Sequence, residues 1–353
     1  MNISASDYRS TEIPGVKNPY AYLLEWNSMD DARFLAEITK QGVKSHFSKV
    51  DFEIDGKSYK KGSLVITREN NRQFGDSFHE IIREAAEEYQ RSLYGSPTGY
   101  ASNGSDLGSS NVEFIEKPEI ALLIGEGTSS LNAGEIWHFF DQQLNYPATL
   151  IHSDDLMGVN LGDFNTLFLP SGYYTDILTD VAIEKISAWT RDGGTLIAFG
   201  ETNRILAGRD GFQLQRKKEE DQAPSDEEKL LSYEDRIREQ ASSRVPGSVF
   251  KIKLDNSHPL AFGYGDIYYS LKRNETAYNY LDTGWNVGVA QADSHMSGFA
   301  GHAAIQELEN TLAFGVQPYG TGQAVYFIDN PLFRGFWENG KLLIANAVFF
   351  VGN

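Results

Sequence analysis

Apolar and polar positions alternate along the chain in a way that divides it into short strands and helices. Residues 20–26 (YAYLLEW) form a β-rich run. Ser28 followed by Asp30 and Asp31 marks a helix start, Phe34, Leu35 and Ile38 recur at helical spacing, and Gly42 supplies the stop. Residues 43–47 and 52–54 alternate as strands, Asp55-Gly56 makes a tight turn, and Gly62 introduces a strand over 63–67. An amphipathic helix is predicted over 76–90, with Phe78, Ile81, Ile82 and Ala85 on one face. These elements make a small α/β domain over residues 1–94. Residues 95–111 (GSPTGYASNGSDLGSSN) are dense in Gly, Ser and Asn, so 95–117 reads as a linker.

After Pro118 the pattern becomes a repeated βα one. Residues 119–124 form a buried-type strand, 125–130 a small-residue turn, and 132–144 a helix with Ile136, Phe139, Phe140 and Leu144 inward. Strands follow at 148–151 and 165–169, then a helix over 180–190 ending at Asp192-Gly193-Gly194, and a strand over 195–199. Strands alternating with helices of this length imply a parallel sheet. The expected fold class is therefore α/β, a small α/β domain followed by a doubly wound, flavodoxin-like domain over 118–353. Residues 204–244 shift to Lys, Glu, Asp, Gln and Arg and read as a solvated insertion, helical over 227–240. Strand-like segments resume at 248–254, 267–271, 284–290, 312–317 and 323–328, and a last helix is expected over 334–350.

Composition narrows the function. The 353 residues include 49 Asp and Glu against 31 Lys and Arg, a formal net charge of −18, with no dense basic cluster outside the mixed-charge stretch at 216–239. That excludes a nucleic-acid partner and disfavours an anionic membrane surface. The longest apolar runs, at 120–124 and 347–351, fall far short of a bilayer span, so no membrane insertion is expected. The polar start lacks the basic and apolar regions of a signal peptide, so an exported protein would carry its signal upstream. Cysteine is absent, which removes disulfides, zinc ribbons, Fe–S clusters and every thiol nucleophile.

Zinc ligation by side chains needs spacings such as HExxH or HxxE, and none of the seven histidines (His46, His79, His138, His152, His258, His295, His302) begins one. His138 and Asp141 come nearest, separated by two phenylalanines that read as core. His295 and His302 flank a Gly/Ala-rich stretch and could face one loop region, without a carboxylate partner. No metal site and no cofactor is expected in this chain. GxSxG and GxxxxGK[ST] are also missing. Gly125-Glu126-Gly127 opens like GxGxxG, but position 130 is Ser130, and the Glu126 carboxylate would repel a pyrophosphate. Pro170-Ser171-Gly172 follows a strand and so stands where α/β sheets bind ligands, although a tight turn explains the tripeptide equally well. The candidate ligand-binding residues are Glu126, Ser129, Ser171 and Glu201, all expected in strand-end loops.

Several collinear strings then carry a resemblance. Residues 112–151 (VEFIEKPEIALLIGEGTSSLNAGEIWHFFDQQLNYPATLI), 164–174 (FNTLFLPSGYY), 186–200 (ISAWTRDGGTLIAFG), 254–264 (LDNSHPLAFGY) and 324–350 (AVYFIDNPLFRGFWENGKLLIANAVFF) resemble the carboxyl-terminal region of large bacterial zinc carboxypeptidases of the carboxypeptidase A-like metallopeptidase family. Residues 21–48 and 52–67 resemble the stretch joining the peptidase domain to that tail. The resemblance implies that the zinc ligands and catalytic Glu lie in a peptidase domain upstream, that this domain is a partner, and that the protein acts in the periplasm or outside the cell. From Pro118 onward the chain further resembles the class I glutamine amidotransferase-like fold, whose nucleophilic Cys stands on the elbow after a central strand. Here the equivalent strand is 195–199 and the elbow reads Gly200-Glu201-Thr202-Asn203, with no cysteine, so amidotransferase chemistry is excluded. The expected function is a non-catalytic accessory region that supports the peptidase domain or binds substrate, a peptide or another small molecule. A ligand-binding or cryptic hydrolase site at the strand ends is the alternative, and oligomerisation through the 204–244 insertion a third.

Overall fold

The computed structural model describes residues 13–174, 176–217 and 230–352. The chain divides into two compact units, the first comprising Met1–Lys117 with Gln142–Tyr146 and the second Pro118–Asp141 with Pro147–Gly352.

In the first unit, β1 (Ala21–Leu24), β2 (His46–Ser48), β5 (Leu64–Thr67), β6 (Tyr94–Ser96) and β7 (Val112–Phe114) form an antiparallel sheet in the order β6-β1-β5-β2-β7. A separate hairpin joins β3 (Phe52–Ile54) to β4 (Lys57–Tyr59). Its two-residue turn holds Asp55 at φ +50° and Gly56 at φ +71°, the left-handed pair that suits the strand twist of a hairpin. Helices α1 (Met29–Lys40) and α2 (Ser77–Glu88) complete the unit. The α1 start is anchored by Ser28, whose hydroxyl accepts from the Asp31 backbone N–H and donates to the buried Asp31 carboxylate, which also meets Arg91 at 3.1 Å. Residues 95–117, expected as a linker, instead contribute β6 and β7 to the sheet. Their Gly- and Ser-rich composition hides the pairing because each strand is only three residues long and owes its place to backbone hydrogen bonds.

The second unit is built on a nine-stranded sheet. Its parallel half contains β8 (Ile120–Ile124), β9 (Thr149–His152), β10 (Thr166–Leu169), β11 (Thr195–Phe199) and β16 (Gly322–Phe327). The spatial order β9-β8-β10-β11-β16 is the 2-1-3-4-5 order of a flavodoxin-like, doubly wound fold. An antiparallel half extends it through β15 (Thr311–Tyr319), β14 (Trp285–Phe299), β12 (Gly247–Leu254) and edge strand β13 (Ile267–Lys272). Helices α3 (Ser130–His138), α4 (Asp180–Arg191), α5 (Thr202–Leu206), α6 (Tyr233–Ser242), α7 (His302–Leu308) and α8 (Glu338–Phe349) connect and cover the strands.

All five residues of β11 are buried, as expected of a strand covered on both faces. Leu196 and Ala198 join Leu167, Leu169, Tyr326 and the α4 residues Ile183 and Ile186 in one core layer. On the other face an aromatic chain crosses the sheet. Phe140, Phe168, Phe199, Phe327, Phe314 and Tyr268 follow one another with ring centroids 5.2, 6.0, 5.4, 5.9 and 5.5 Å apart. The register supports it, since Phe199 pairs with Phe327 and Phe327 with Phe314.

Three expected elements end differently. The helix expected over 132–144 is α-helical only to His138 and continues as a π-helical turn over Phe139–Leu144. The strand expected at 284–290 runs on through Phe299, carrying His295 within it. The last helix begins at Glu338 rather than 334, because Arg334 and Gly335 both take left-handed φ values, +51° and +69°. Within the charged stretch, α6 occupies Tyr233–Ser242, part of the helix expected over 227–240 lies outside the described residues, and Phe212 and Leu214 are buried rather than solvated. Among the described residues no helix is long and apolar enough to cross a membrane.

Two outcomes follow from this packing. Replacing Phe199, which touches Phe168 and Phe327, by Ala is expected to cost about 3–5 kcal/mol in denaturant unfolding, with Phe199→Leu costing less. Buried His258 accepts the Leu260 N–H at Nδ1 and lies against Trp285, and burial pushes its pKa down from 6.5 to about 4, with Asp255 opposing weakly. The unfolded chain therefore binds the proton first. Stability from this site is complete above pH 6.5 and falls as pH drops toward 4. A His258→Asn variant, which keeps an acceptor for the Leu260 N–H, is expected to show a flatter stability profile over that window; an unchanged slope would refute the assignment.

Candidate functional site

A flavodoxin-like sheet has its topological switch between the first and third strands in sequence, here β8 and β10, and ligands bind outside the carboxyl ends of the strands there. A cavity of about 800 Å³ opens at these strand ends. Its lining includes Ser129 and Ser130 after β8, Ser171 after β10, Gly200 and Glu201 after β11, Arg273 and Asn274 after β13, and Asp329, Asn330 and Arg334 after β16. Three of the four sequence candidates, Ser129, Ser171 and Glu201, are thus brought together. Glu126 is not among the lining residues and is exposed. Gly125 and Gly127, at φ +100° and +79°, turn the loop so that Ser129 lines the cavity.

Backbone and side-chain hydrogen bonds hold the loops to one another. The Pro170 carbonyl accepts from the Tyr174 hydroxyl at 2.7 Å and from the Thr202 hydroxyl, tying the β10 loop to α5. Burial pushes the Tyr174 phenol's ionisation upward, so it stays a donor. The Phe327 carbonyl accepts from Gly200 N–H at 2.9 Å and from Asn203 Nδ2 at 2.8 Å, tying α5 to β16. Ser171 N–H donates to Asn132 Oδ1 at 2.7 Å, and Ser129 N–H donates to the Ser171 carbonyl at 2.8 Å.

Each lining carboxylate is engaged by the protein's own donors. Glu135 accepts from Asn132 Nδ2 (3.1 Å), Asn330 Nδ2 (2.5 Å) and Arg334 N–H (2.6 Å). Glu201 accepts from Arg204 (3.0 Å) and Asn274 Nδ2 (2.9 Å). Asp329 accepts from Ser270 Oγ at 2.8 Å and forms a largely buried pair with Lys272 at 3.1 Å. These acids are struts between loops, and a buried pair of this kind specifies geometry more than it adds stability.

The candidate hydroxyls accept hydrogen bonds from the loop backbone. Ser129 Oγ caps α3 by accepting from the Asn132 N–H. Ser171 Oγ accepts from the Glu201 N–H at 3.1 Å. His138 lines the cavity, yet among the described residues no hydrogen bond joins it to either serine. The turn after β11 takes its left-handed conformation at Gly200, φ +51°, rather than at Glu201. A Cβ on Gly200 would stand 2.8 Å from Ser171 Oγ. The strained position where an elbow presents its nucleophile therefore carries no side chain, and the space beside it belongs to Ser171.

Asn132, Glu135, Arg273, Asn274, Asp329, Asn330 and Arg334 escaped the sequence reading. The available signal was weak: Asp329-Asn330-Pro331 and Arg273-Asn274 both directly follow strands, as strand-end loops do. His295 lies in β14 with Nε2 3.2 Å from the Gly298 carbonyl, whereas His302 opens α7. Among the described residues, no group of three or more His, Asp or Glu is placed to hold a metal ion.

No protein-family model matches the sequence, and no curated protein matches it. Among solved structures, a protein from Bacteroides uniformis described as ThuA-like is 12% identical over 70% of this chain and 94% of its own, with a TM-score of 0.39. A Thermoplasma acidophilum protein, described as one of the subunits of GMP synthase, is 10% identical over 66% of this chain and 94% of its own, with a TM-score of 0.42. A β-galactosidase from Bacillus circulans is 12% identical over 76% of this chain but only 34% of its own, with a TM-score of 0.37. At these identities and TM-scores the likenesses say nothing of activity.

Gly200→Ala is expected to lower stability by about 1–3 kcal/mol through backbone strain and the clash with Ser171. Gly134→Ala, in α3 where a Cβ meets nothing within 4 Å, serves as the control and is expected to be neutral or stabilising. Urea unfolding of the two variants checks the pair.

Proposed function

We propose that this chain is a non-catalytic accessory region of a secreted bacterial zinc carboxypeptidase, whose second unit receives substrate or another small ligand in the strand-end cavity. The observation that supports the binding half is the open cavity above a strand-to-helix turn whose left-handed residue, Gly200, has no side chain. Polar groups converge there from five loops, which suits orientation of a ligand. Among the described residues the Ser129 and Ser171 hydroxyls each accept from a backbone N–H and no base is hydrogen-bonded to either, which supports the non-catalytic reading.

The carboxypeptidase half rests on the collinear sequence strings. Among the described residues no group of three or more ligating side chains is placed to hold that family's zinc. In this reading the metal and its chemistry belong to the peptidase domain, and the present chain contributes recognition or support.

Incubating the chain with zinc and peptides bearing free carboxyl termini is expected to release no amino acid, read by mass spectrometry; zinc-dependent release would overturn the non-catalytic assignment. A fragment screen followed by backbone amide NMR is expected to shift Ser129, Ser130, Ser171, Glu201 and Arg334 together. Hits that leave those amides unmoved would remove the binding half.

A further inference from the structure

We propose that the strand-end cavity takes a small monoanionic carboxylate, of the hydroxy-acid or sugar-acid class, whose charged group is bound by Arg273 and Arg334. This rests on reading the cavity as a binding site and adds the chemistry of its ligand.

The argument begins with what each charged lining group already does. Glu135, Glu201 and Asp329 are all taken up by donors of the protein. Arg273 and Arg334 are different. Among the described residues neither guanidinium makes an ion pair or a hydrogen bond; each is placed instead over the Phe333 ring, at 5.0 and 5.1 Å from its centroid. A cation–π contact of this kind leaves the guanidinium N–H groups available to a further partner. In a chain with formal charge −18, two arginines that share one aromatic platform in one cavity and decline every nearby carboxylate form a local site for an anion.

The backbone at Arg334 adds an independent reason. This residue sits at φ +51°, ψ +23°, a conformation that a long side chain rarely adopts. Its N–H is clamped by Glu135, which is itself held by Asn132 and Asn330. Strain of this kind persists where the surroundings impose it, and such positions cluster at ligand clamps.

The same inventory selects the charge and polarity of the ligand. A dianionic phosphate would meet three lining carboxylates, whereas a carboxylate brings one charge and matches the planar guanidinium fork. The hydroxyls of Ser129, Ser130 and Ser171 also line the cavity. The hydroxyls suit a ligand that carries hydroxyl groups beside its acid, and Leu131, Leu271, Ile328 and the Phe333 ring supply the apolar contact for its carbon skeleton.

Isothermal titration of the full chain with acetate, lactate, gluconate and glucuronate, and with glucose and glucose 1-phosphate, tests the assignment. At least one of the hydroxy acids is expected to bind, more tightly than glucose by about tenfold or more, and to weaken as salt rises. Arg273→Gln is expected to weaken it about tenfold, as is Arg334→Asn, which tolerates the left-handed backbone. Arg273→Lys, which keeps the charge and loses the fork, is expected to fall between. Circular dichroism confirms that each variant is folded. Equal binding of glucose, tighter binding of glucose 1-phosphate, or retention of the acid by a folded variant carrying both Arg273→Gln and Arg334→Asn would overturn the carboxylate assignment while leaving a binding module in place. Failure of every acid to bind at millimolar concentration overturns it as well, and if the cavity amides also stay still in the fragment screen the binding reading falls with it.

Discussion

The line of aromatic rings from Phe140 through Phe168, Phe199, Phe327 and Phe314 to Tyr268 is the contact on which the second unit depends. It joins the parallel strands to the antiparallel extension on one face, while the aliphatic layer of Leu167, Leu196, Ala198 and the α4 isoleucines fills the other. Both faces of β11 are therefore dry, which forces its polar backbone into ladder hydrogen bonds and leaves the strand no freedom to slip. Phe199 and Phe327 are the last residues of their strands. The turn at Gly200 and the Asp329-Asn330 loop accordingly start from fixed points.

That constraint explains how polar groups from separate loops are held in order around the cavity. Five loops leave a rigid sheet edge, and carboxylates within the cavity act as struts: Glu135 links α3 to the segment after β16, Glu201 links α5 to the segment after β13, and Asp329 meets β13 through Lys272 and Ser270. With the acids engaged, the unspent capacity belongs to donors. At the turn after β11 the left-handed residue is glycine, so no side chain projects from that point into the cavity.

Much of the architecture was legible in the sequence where local signals coincide with tertiary demand. Ser28 and Asp31 cap α1 as their order suggests, Asp55-Gly56 turns a hairpin, and β11 occupies the residues its apolar run marks. The fully buried strands of the parallel sheet read clearly because both faces require large apolar groups. Legibility failed where long-range pairing outweighs composition. Strands β6 and β7 lie in a Gly/Ser-rich stretch, and their partners are far away in sequence. The apolar periodicity of 334–350 continues smoothly through Arg334, although its backbone there is left-handed. Nothing in the periodicity of a helix reports a strained residue before its start.

By itself the sequence determined the doubly wound α/β class, the absence of thiol chemistry, the acidic surface, and the placing of Ser129, Ser171 and Glu201 in strand-end loops, because these follow from residue type and local spacing. Only the tertiary structure decided that those three share a cavity without Glu126, that Gly200 holds the left-handed turn, and that Arg273 and Arg334 each contact the Phe333 ring. The reason is one of distance along the chain. A site assembled from loops after five strands depends on strand order, and strand order is set by which buried faces pack together, a choice that no short window of residues contains.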